Sequence, residues 1–595
     1  MSATKDHHEG FLAQLPHVPR ALRLVWQAAP WWTLFWLAGL VLQALVPVAI
    51  VFCTRVVVDR ITEAAGAGSS WAVLEQILFP TVLMAALLVV NELLRAADRL
   101  MRSMQAELVR DAVSGLIHQR SMAVDLAHFE SPDYHDRLYR ARSDSHDRPV
   151  VLVQSLGALL QHGLTLAGMA AVLVRFGWWV PLVLVISTLP ALAVVAGHAR
   201  RHHRWNLRTT AESRRGWYLD WLLCTRETAA EVRLFDLGPQ TARGFQSIRS
   251  GLRRARLKLS RTEAGLEILA AAFALTVSGG AMIWITIQSL EGRLSIGELA
   301  MAFQAFVQGQ RLMRSLLESA GQVWSNALFL DNLFAFLAIE PAITDPPEPL
   351  SLPEESPPSV RLRGVEFSYP GSDSAVFDGL DFEIPSGSVA ALLGVNGAGK
   401  TTLVKLLCRF YDPDRGSVEL GGVDVRKLRV GDARSLVSAL YQEPVHFSDT
   451  VLRNIVPVDG RDHIDREAVS SALLASGAKE VVDKLPEGLD TRLGTWFEGG
   501  AELSVGEWHR LALARALARG APILLLDEPT ASMDSWLESE WRRQLRRLGG
   551  DRTVIVITHR LTTASCADVI HIMEDGKIVE SGRHDTLVNA GGRYQ

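Results

Sequence analysis

Residues 31–53 read WWTLFWLAGLVLQALVPVAIVFC, and a lipid bilayer is the natural solvent for such a run. About 20 apolar residues in a helix span the hydrocarbon of a membrane. Comparable runs follow near 77–94, 150–174, 178–197, 266–290 and 296–317, which predicts six membrane helices. The second is interrupted by Pro80, and the sixth carries Gln304, Gln308 and Arg311. No short apolar core with a small-residue cleavage site opens the chain, so the first run is expected to be a retained helix and not a removed signal peptide. A hydrophobic fraction of 48% and a positive mean hydropathy of +0.14 lean toward a membrane protein.

Orientation follows from the positive charge of the connecting loops. Segment 95–148 carries nine Lys or Arg and segment 198–263 carries fifteen, whereas the links after the first, third and fifth runs carry two, one and one. The two long basic loops are therefore expected in the cytoplasm, together with both termini. A net charge of −4 gives no basic field for nucleic acid, so no nucleic-acid partner is expected. Cys53, Cys224, Cys408 and Cys566 lie far apart without a CxxC pair, which speaks against a disulfide framework or a zinc site.

At 339–358 the composition turns to IEPAITDPPEPLSLPEESPP, a Pro- and Glu-rich stretch that disfavours helix and sheet and suits a linker. The expected partition is a six-helix membrane domain over 1–335, a linker over 336–357 and a second domain over 358–595. In the last, short apolar runs such as VAALL, ILLLD and TVIVIT alternate with helical patterns, as in an α/β domain with a largely parallel sheet.

That domain carries the chemistry. Gly394-VNGA-Gly399-Lys400-Thr401 fits GxxxxGK[ST], with an apolar strand before it and a helical pattern after it. Backbone N–H groups at such a helix start cradle phosphate oxygens, the glycines permit close approach, the lysine reaches the β and γ phosphates, and the threonine can ligate Mg²⁺. Gly394, Asn396, Gly397, Gly399, Lys400, Thr401 and Thr402 are the candidate ATP-binding residues here. A second apolar strand ends in Asp527-Glu528, the first suited to hold Mg²⁺ and the second to polarise a water attacking the γ phosphate. Further on, AELSVGEWHR at 501–510 places Ser504 and Glu507 at capping-box spacing, and the helix that they start is expected to run toward a C-cap at Gly520.

The order GVNGAGKTT, Tyr441-Gln442, LSVGE, ILLLDEPTASMD and THR at 558–560 resembles the ATPase domain of ABC transporters, and the preceding six-span topology resembles ABC exporter half-transporters. The resemblance covers essentially the whole chain, specifically in the ATPase half and only topologically in the membrane half. It implies a multidomain membrane protein with an N-terminal all-α six-helix transmembrane domain of exporter type and a C-terminal α/β P-loop ATPase domain. It further implies that Tyr369 in FSYP stacks on adenine, that Gln442 senses Mg²⁺, that His559 contacts the γ phosphate, and that Asp534 crosses between nucleotide sites. Ser504 and Gly506 would complete an ATP site on the opposite subunit. Glu498 resembles an acidic loop before that signature. The segments 125–141 and 228–238 resemble those that couple the membrane half to the ATPase. Here the family pattern LSGGQ is replaced by LSVGE. If Glu507 folds back to cap its helix, as favoured, its carboxylate stays away from the triphosphate.

These features together give an expected function: an ATP-driven exporter half-transporter of the bacterial inner membrane, needing ATP and Mg²⁺, pairing with a second half-transporter, a homodimer before a heterodimer. Its cargo is expected to be an amphipathic peptide, lipid or small hydrophobic compound; a lipid flippase or importer of the same fold, or a non-transport ATPase, is the alternative. A peptide exporter that cleaves its cargo's leader is disfavoured, because no peptidase domain precedes the first run. Gln304, Gln308, Arg311, Ser315, Glu318 and Gln322 recur at spacings of three and four, a polar stripe expected to line the transport pathway. Gln161 and His162 are weaker pathway candidates, because bonding between helices would equally explain them.

Overall fold

The computed structural model describes residues 17–67, 71–131, 134, 138, 148–352, 354, 356–372, 374–457, 465–495, 499–530, 533 and 535–595. These form two compact units, residues up to Met122 with Asp136–Ile339, and Ala123–His135 with Glu340–Gln595.

The first unit is helical. After α1 (His17–Ala28) come α2 (Pro30–Ala67), α3 (Trp71–Ala123), α5 (Arg148–Val174), α6 (Val180–Cys224), a short α7 (Arg226–Leu234), α8 (Gly238–Leu290) and α9 (Ile296–Leu337); α4 (Leu126–Phe129) belongs to the other unit. The helices run well beyond the apolar stretches, because the basic loops continue them instead of breaking them. Pro47, Pro80 and Pro190 sit inside helices. Among the described residues, α2, α3, α5 and α8 are each long and apolar enough to cross a membrane. The apolar part of α6 is shorter, Val180–Val195, and α9 mixes its apolar residues with Gln, Arg and Glu.

Close packing explains the small residues on these helices. A Cβ on Gly157 would meet the Trp36 ring at 2.1 Å, and one on Gly168 would meet Val48 at 2.6 Å, so both glycines let α5 lie against α2. Where five helices converge, Val51, Met169, Leu173, Leu184, Ile285, Met301 and Phe306 form a core. Several polar groups inside are paired across helices or turns: Trp36 Nε1 donates to Asp98 Oδ1 at 3.0 Å, Arg102 Nε reaches the same carboxylate at 2.9 Å, and Gln105 Nε2 donates to Thr33 Oγ1 at 2.9 Å, while Gln105 Oε1, His162 Nδ1, Gln304 Oε1 and Gln310 Nε2 are buried without a partner. The outward faces are apolar instead, with Phe79 76% and Leu275 74% exposed, the inverse of a water-soluble surface.

The second unit is built on two sheets. Four strands, β1 (Val360–Ser368), β2 (Ala375–Ile384), β4 (Arg415–Leu420) and β5 (Val423–Asp424), form an antiparallel sheet in the order β2-β1-β4-β5. Six more, β3 (Val389–Gly394), β6 (Val437–Leu440), β7 (Ile523–Asp527), β8 (Thr553–Ile557), β9 (Val569–Glu574) and β10 (Lys577–Gly582), line up as β10-β9-β3-β8-β7-β6. All neighbours in that row are parallel except β10 with β9. Near-continuous burial along β3, β7 and β8 is what a parallel sheet covered on both faces requires. Because β3, β8 and β7 run the same way side by side, their C-terminal ends share one edge, where ligands of open α/β sheets bind.

Candidate functional site

At that edge the chain leaves β3 through residues 395–399 and enters α10 (Lys400–Leu407). Gly399, at the helix N-cap, has φ +107°, and a Cβ there would meet the Phe377 ring at 2.6 Å. A cavity of about 790 Å³ opens beside the loop, lined by Tyr369, Val376, Leu393, Gly394, Val395, Asn396, Gly397, Gly399, Lys400, Thr401, Thr402, Gln442, Asp527, Glu528 and His559. Of the residues proposed from sequence for one subunit's own ATP site, every described one lines it. Lys400 Nζ donates to the carbonyls of Gly394 at 2.7 Å and Val395 at 2.9 Å. Burial depresses its pKa, only partly offset by the attraction of Asp527 and Glu528.

The acidic wall follows from strand register. Asp527 pairs with Ile557 across β7 and β8, so Glu528, one residue past β7, and His559, two past β8, converge. Glu528 Oε1 and His559 Nδ1 lie 2.7 Å apart. Glu528 has φ +51°, a left-handed conformation that a residue with a side chain holds only at a cost and that recurs at functional sites. Its backbone N–H donates to the Ile557 carbonyl at 2.9 Å, and its Oε2 is buried without a partner. Asp527 is buried, and burial reinforced by Glu528 pushes its pKa up to about 6 despite Lys400. The wall concentrates carboxylates opposite the phosphate loop, where Lys400 offsets part of their charge.

The donors suit Mg²⁺. Thr401, Gln442 and Asp527 bring oxygen ligands to one cavity, and the unpartnered Glu528 Oε2 adds an acceptor nearby. Among the described residues no group of three His, Cys, Asp or Glu could hold a metal alone. An ion held there by a few such oxygens would need substrate phosphates to complete its coordination.

The signature segment lies elsewhere. Ser504 is the N-cap of α11 (Val505–Ala518). Its Oγ accepts from the Glu507 N–H at 3.3 Å, while Glu507 Oε2 accepts from the Ser504 N–H at 2.8 Å and from its Oγ at 2.9 Å. The carboxylate thus folds back onto the cap, and these bonds hold its pKa below the usual range. The helix ends at Ala518, with Gly520 at φ +70° just beyond. Val505 is 80% exposed. Trp508 stacks on His446 with ring centroids 4.4 Å apart, tying the helix to the loop that carries Gln442. Neither Ser504 nor Gly506 lines the cavity. Asp534 and Glu498 fall outside the described residues.

Three residues that sequence reasoning passed over complete the cavity's surroundings. Tyr369 and Thr402 share a hydrogen bond of 2.9 Å between their hydroxyls. Behind Tyr369 stand Tyr411, edge-on at 5.4 Å, and Lys405, whose Nζ lies 4.9 Å from the Tyr369 ring centroid. Both donate to Glu130 of the segment 123–135, Lys405 Nζ at 2.6 Å and Tyr411 Oη at 2.6 Å. No motif marks them; only the fold assembles them. The described part of the 125–141 segment up to Tyr134 thus groups with the second unit and Leu138 with the first, whereas 228–238 falls in and just after α7 of the first.

In the first unit a cavity of about 500 Å³ is lined by Ser187, Thr188, Glu267, Gln310, Arg314 and Glu318 among apolar side chains such as Ile268 and Leu275. Of the polar stripe expected on α9, only Glu318 reaches it; Gln310 and Arg314 come from the neighbouring face. Gln322 instead accepts a bond from Ser155 Oγ at 3.1 Å, and Gln161 donates to Gln43 Oε1 at 3.0 Å. Gln161 and Gln322 are therefore joined to neighbouring helices.

Residues 377–531 match a family model described as ABC transporter. An ATP-dependent lipid A-core flippase of Aromatoleum aromaticum is 33% identical over 440 residues, 73% of this chain and 71% of that protein. One of the same description from Vibrio vulnificus is 28% identical over 489 residues, 81% of each chain. Among solved structures, a bacterial Atm1-family ABC exporter with ATP bound superposes with a TM-score of 0.79 at 24% identity, covering 94% of this chain and 97% of its own.

Proposed function

This chain belongs to the ABC transporter family, and from that membership we propose that it moves an amphipathic lipid across the bacterial inner membrane as one half of a homodimer. It is an integral membrane protein that couples ATP hydrolysis to transport. The observation that carries the ATPase assignment is the meeting of Lys400, Asp527, Glu528 and His559 around one cavity. In the proposed scheme the backbone amides of 395–400 and Lys400 hold the phosphates, and Tyr369 stacks on the base. Glu528 orients the attacking water, with His559 on its carboxylate and on the γ phosphate. Thr401, Gln442 and Asp527 would hold Mg²⁺, which when bound would supply neutralisation of the negative charge on the phosphates. Ser504 and Gly506 of each chain would close the site of the other, α11 offering its N-terminal amides to the γ phosphate. Both termini and both basic loops face the cytoplasm in this scheme.

Lipid cargo is supported by the names of the relatives and by a helical-unit cavity that mixes carboxylates and a guanidinium with apolar wall. The test is Mg-ATPase activity of the chain expressed alone in lipid nanodiscs, with Glu528→Gln as control and lipids, peptides and hydrophobic compounds added in turn. Activity that vanishes in Glu528→Gln and rises with lipid is the expected result. A silent, well-folded, ATP-binding protein would sink the homodimer, and stimulation by peptide alone would sink the lipid.

A further inference from the structure

Between α3 and α5 the chain leaves the helical unit and lays a short segment on the ATPase unit. Three features anchor it. Asp125 accepts from the backbone N–H of Ala342 at 2.6 Å and of Ile343 at 3.3 Å. Leu126 and Ala127 pack against the core beneath the antiparallel sheet. Glu130 takes two short bonds, one on each carboxylate oxygen, from Lys405 and Tyr411.

Those two partners are the back wall of Tyr369. Lys405 belongs to α10, the helix that the phosphate loop starts, and its ammonium faces the Tyr369 ring at 4.9 Å and the Tyr411 ring at 5.8 Å. Without a carboxylate, an ammonium on a flexible four-carbon stem has many orientations to choose from. With Glu130 in place, Lys405 and Tyr411 are each fixed by a charge-assisted bond, and they in turn limit where the Tyr369 ring can sit. Partial burial would raise the carboxyl's pKa, but the bonds from Lys405 and Tyr411 outweigh it and keep Glu130 ionised.

We infer that Glu130 is a positioning residue for the base of the nucleotide: it acts through Lys405 and Tyr411 on the Tyr369 ring, so the grip on adenine, and not the grip on phosphate, depends on the segment following α3. Tyr369 as the stacking residue is itself a proposal, so the test carries a control for it.

The experiment measures binding of ADP and of inorganic tripolyphosphate, which has no base, to the full chain in nanodiscs. Tyr369→Ala, Glu130→Ala and Lys405→Met are each expected to weaken ADP by roughly three- to tenfold, the reach of one lost charge-assisted or cation–π contact, and Glu130→Ala and Lys405→Met to leave tripolyphosphate unchanged. Glu130→Ala combined with Lys405→Met is expected to be no worse than either alone, because both break one chain of contacts. If Tyr369→Ala weakens ADP and Glu130→Ala does not, the inference falls while Tyr369 stands. Should Tyr369→Ala leave ADP untouched, both fall together. Equal losses for ADP and tripolyphosphate in Glu130→Ala would mean general damage to the site, and additive losses in the double variant would mean that Glu130 and Lys405 act separately; either overturns the inference.

Discussion

Glu507 stands where the family pattern has glutamine, and its carboxylate is spent on the cap of α11 rather than aimed at a ligand. Glutamine serves the same capping box. Glu507→Gln is therefore expected to change nucleotide affinity and ATPase rate less than about twofold, whereas Glu507→Ala removes the back-bond and costs about 1 kcal/mol of helix-start stability; calorimetric unfolding and steady-state turnover check both. A sharp rise in ATP affinity in Glu507→Gln would show that the carboxylate faces phosphate after all. This geometry was legible in the sequence, because a capping box is local. Glu130 was not, because its partners lie 275 and 281 positions away and carry no spacing signature.

Among the strands, His571 of β9 joins the two sheets: its ring lies 4.8 Å from that of Phe382 on β2, and its Nδ1 is 2.8 Å from Ser581 Oγ on β10. Burial lowers its pKa from 6.5 to about 4. Between those values the unfolded chain takes up a proton that the folded one refuses, so this contribution is complete above pH 6.5 and is lost as the pH falls toward 4. The difference amounts to about 3 kcal/mol at most. Chemical unfolding of the full protein, followed at the transition that ADP stabilises, is expected to weaken over that window, and His571→Gln to flatten the slope. A slope unchanged in the variant would assign the acid sensitivity to other groups. Element identity was clear from pattern, since the apolar runs and the phosphate loop have strong periodic or local signals. Helix length was not: the basic loops carry too many charges to read as membrane helix, yet Arg and Glu are good helix formers and the helices simply continue through them. The polar stripe on α9 showed that one face is polar, but not which neighbour each side chain would meet, and that is settled by packing with α5, α6 and α8.

For the whole molecule, the separation of Ser504 and Gly506 from the phosphate-loop cavity of the same chain bears on assembly. If the site is shared between chains, two inactive variants can repair each other. Lys400→Ala spoils the phosphate loop and keeps the signature; Ser504→Ala with Gly506→Glu does the reverse. Co-expressed, they are expected to recover part of the ATPase activity that each lacks alone, since mixed dimers hold one intact site. No recovery in mixed dimers isolated through two different tags would argue that each chain completes its own site. What sequence conveyed at this scale was the order of the parts, because motifs and apolar runs are linear features. The attachment of 123–135 to the ATPase unit depends on side chains meeting across the fold.

Helix α3 runs for 53 residues, about 80 Å at the rise of an α-helix. Crossing the hydrocarbon uses about 30 Å of that. Counted from Ile77, roughly 40 Å of rod extends past the bilayer toward Ala123, directly before the segment that holds Glu130. A rod of that length is a lever arm. Tilting by about 10° about the membrane surface sweeps its tip through roughly 7 Å, about twice the length of a hydrogen bond. Small changes in bilayer thickness or lateral pressure, which act on tilt, would therefore appear magnified at the far end of the rod. Catalytic rate in this protein is expected to depend on the acyl-chain length of the surrounding lipid, even with no cargo present.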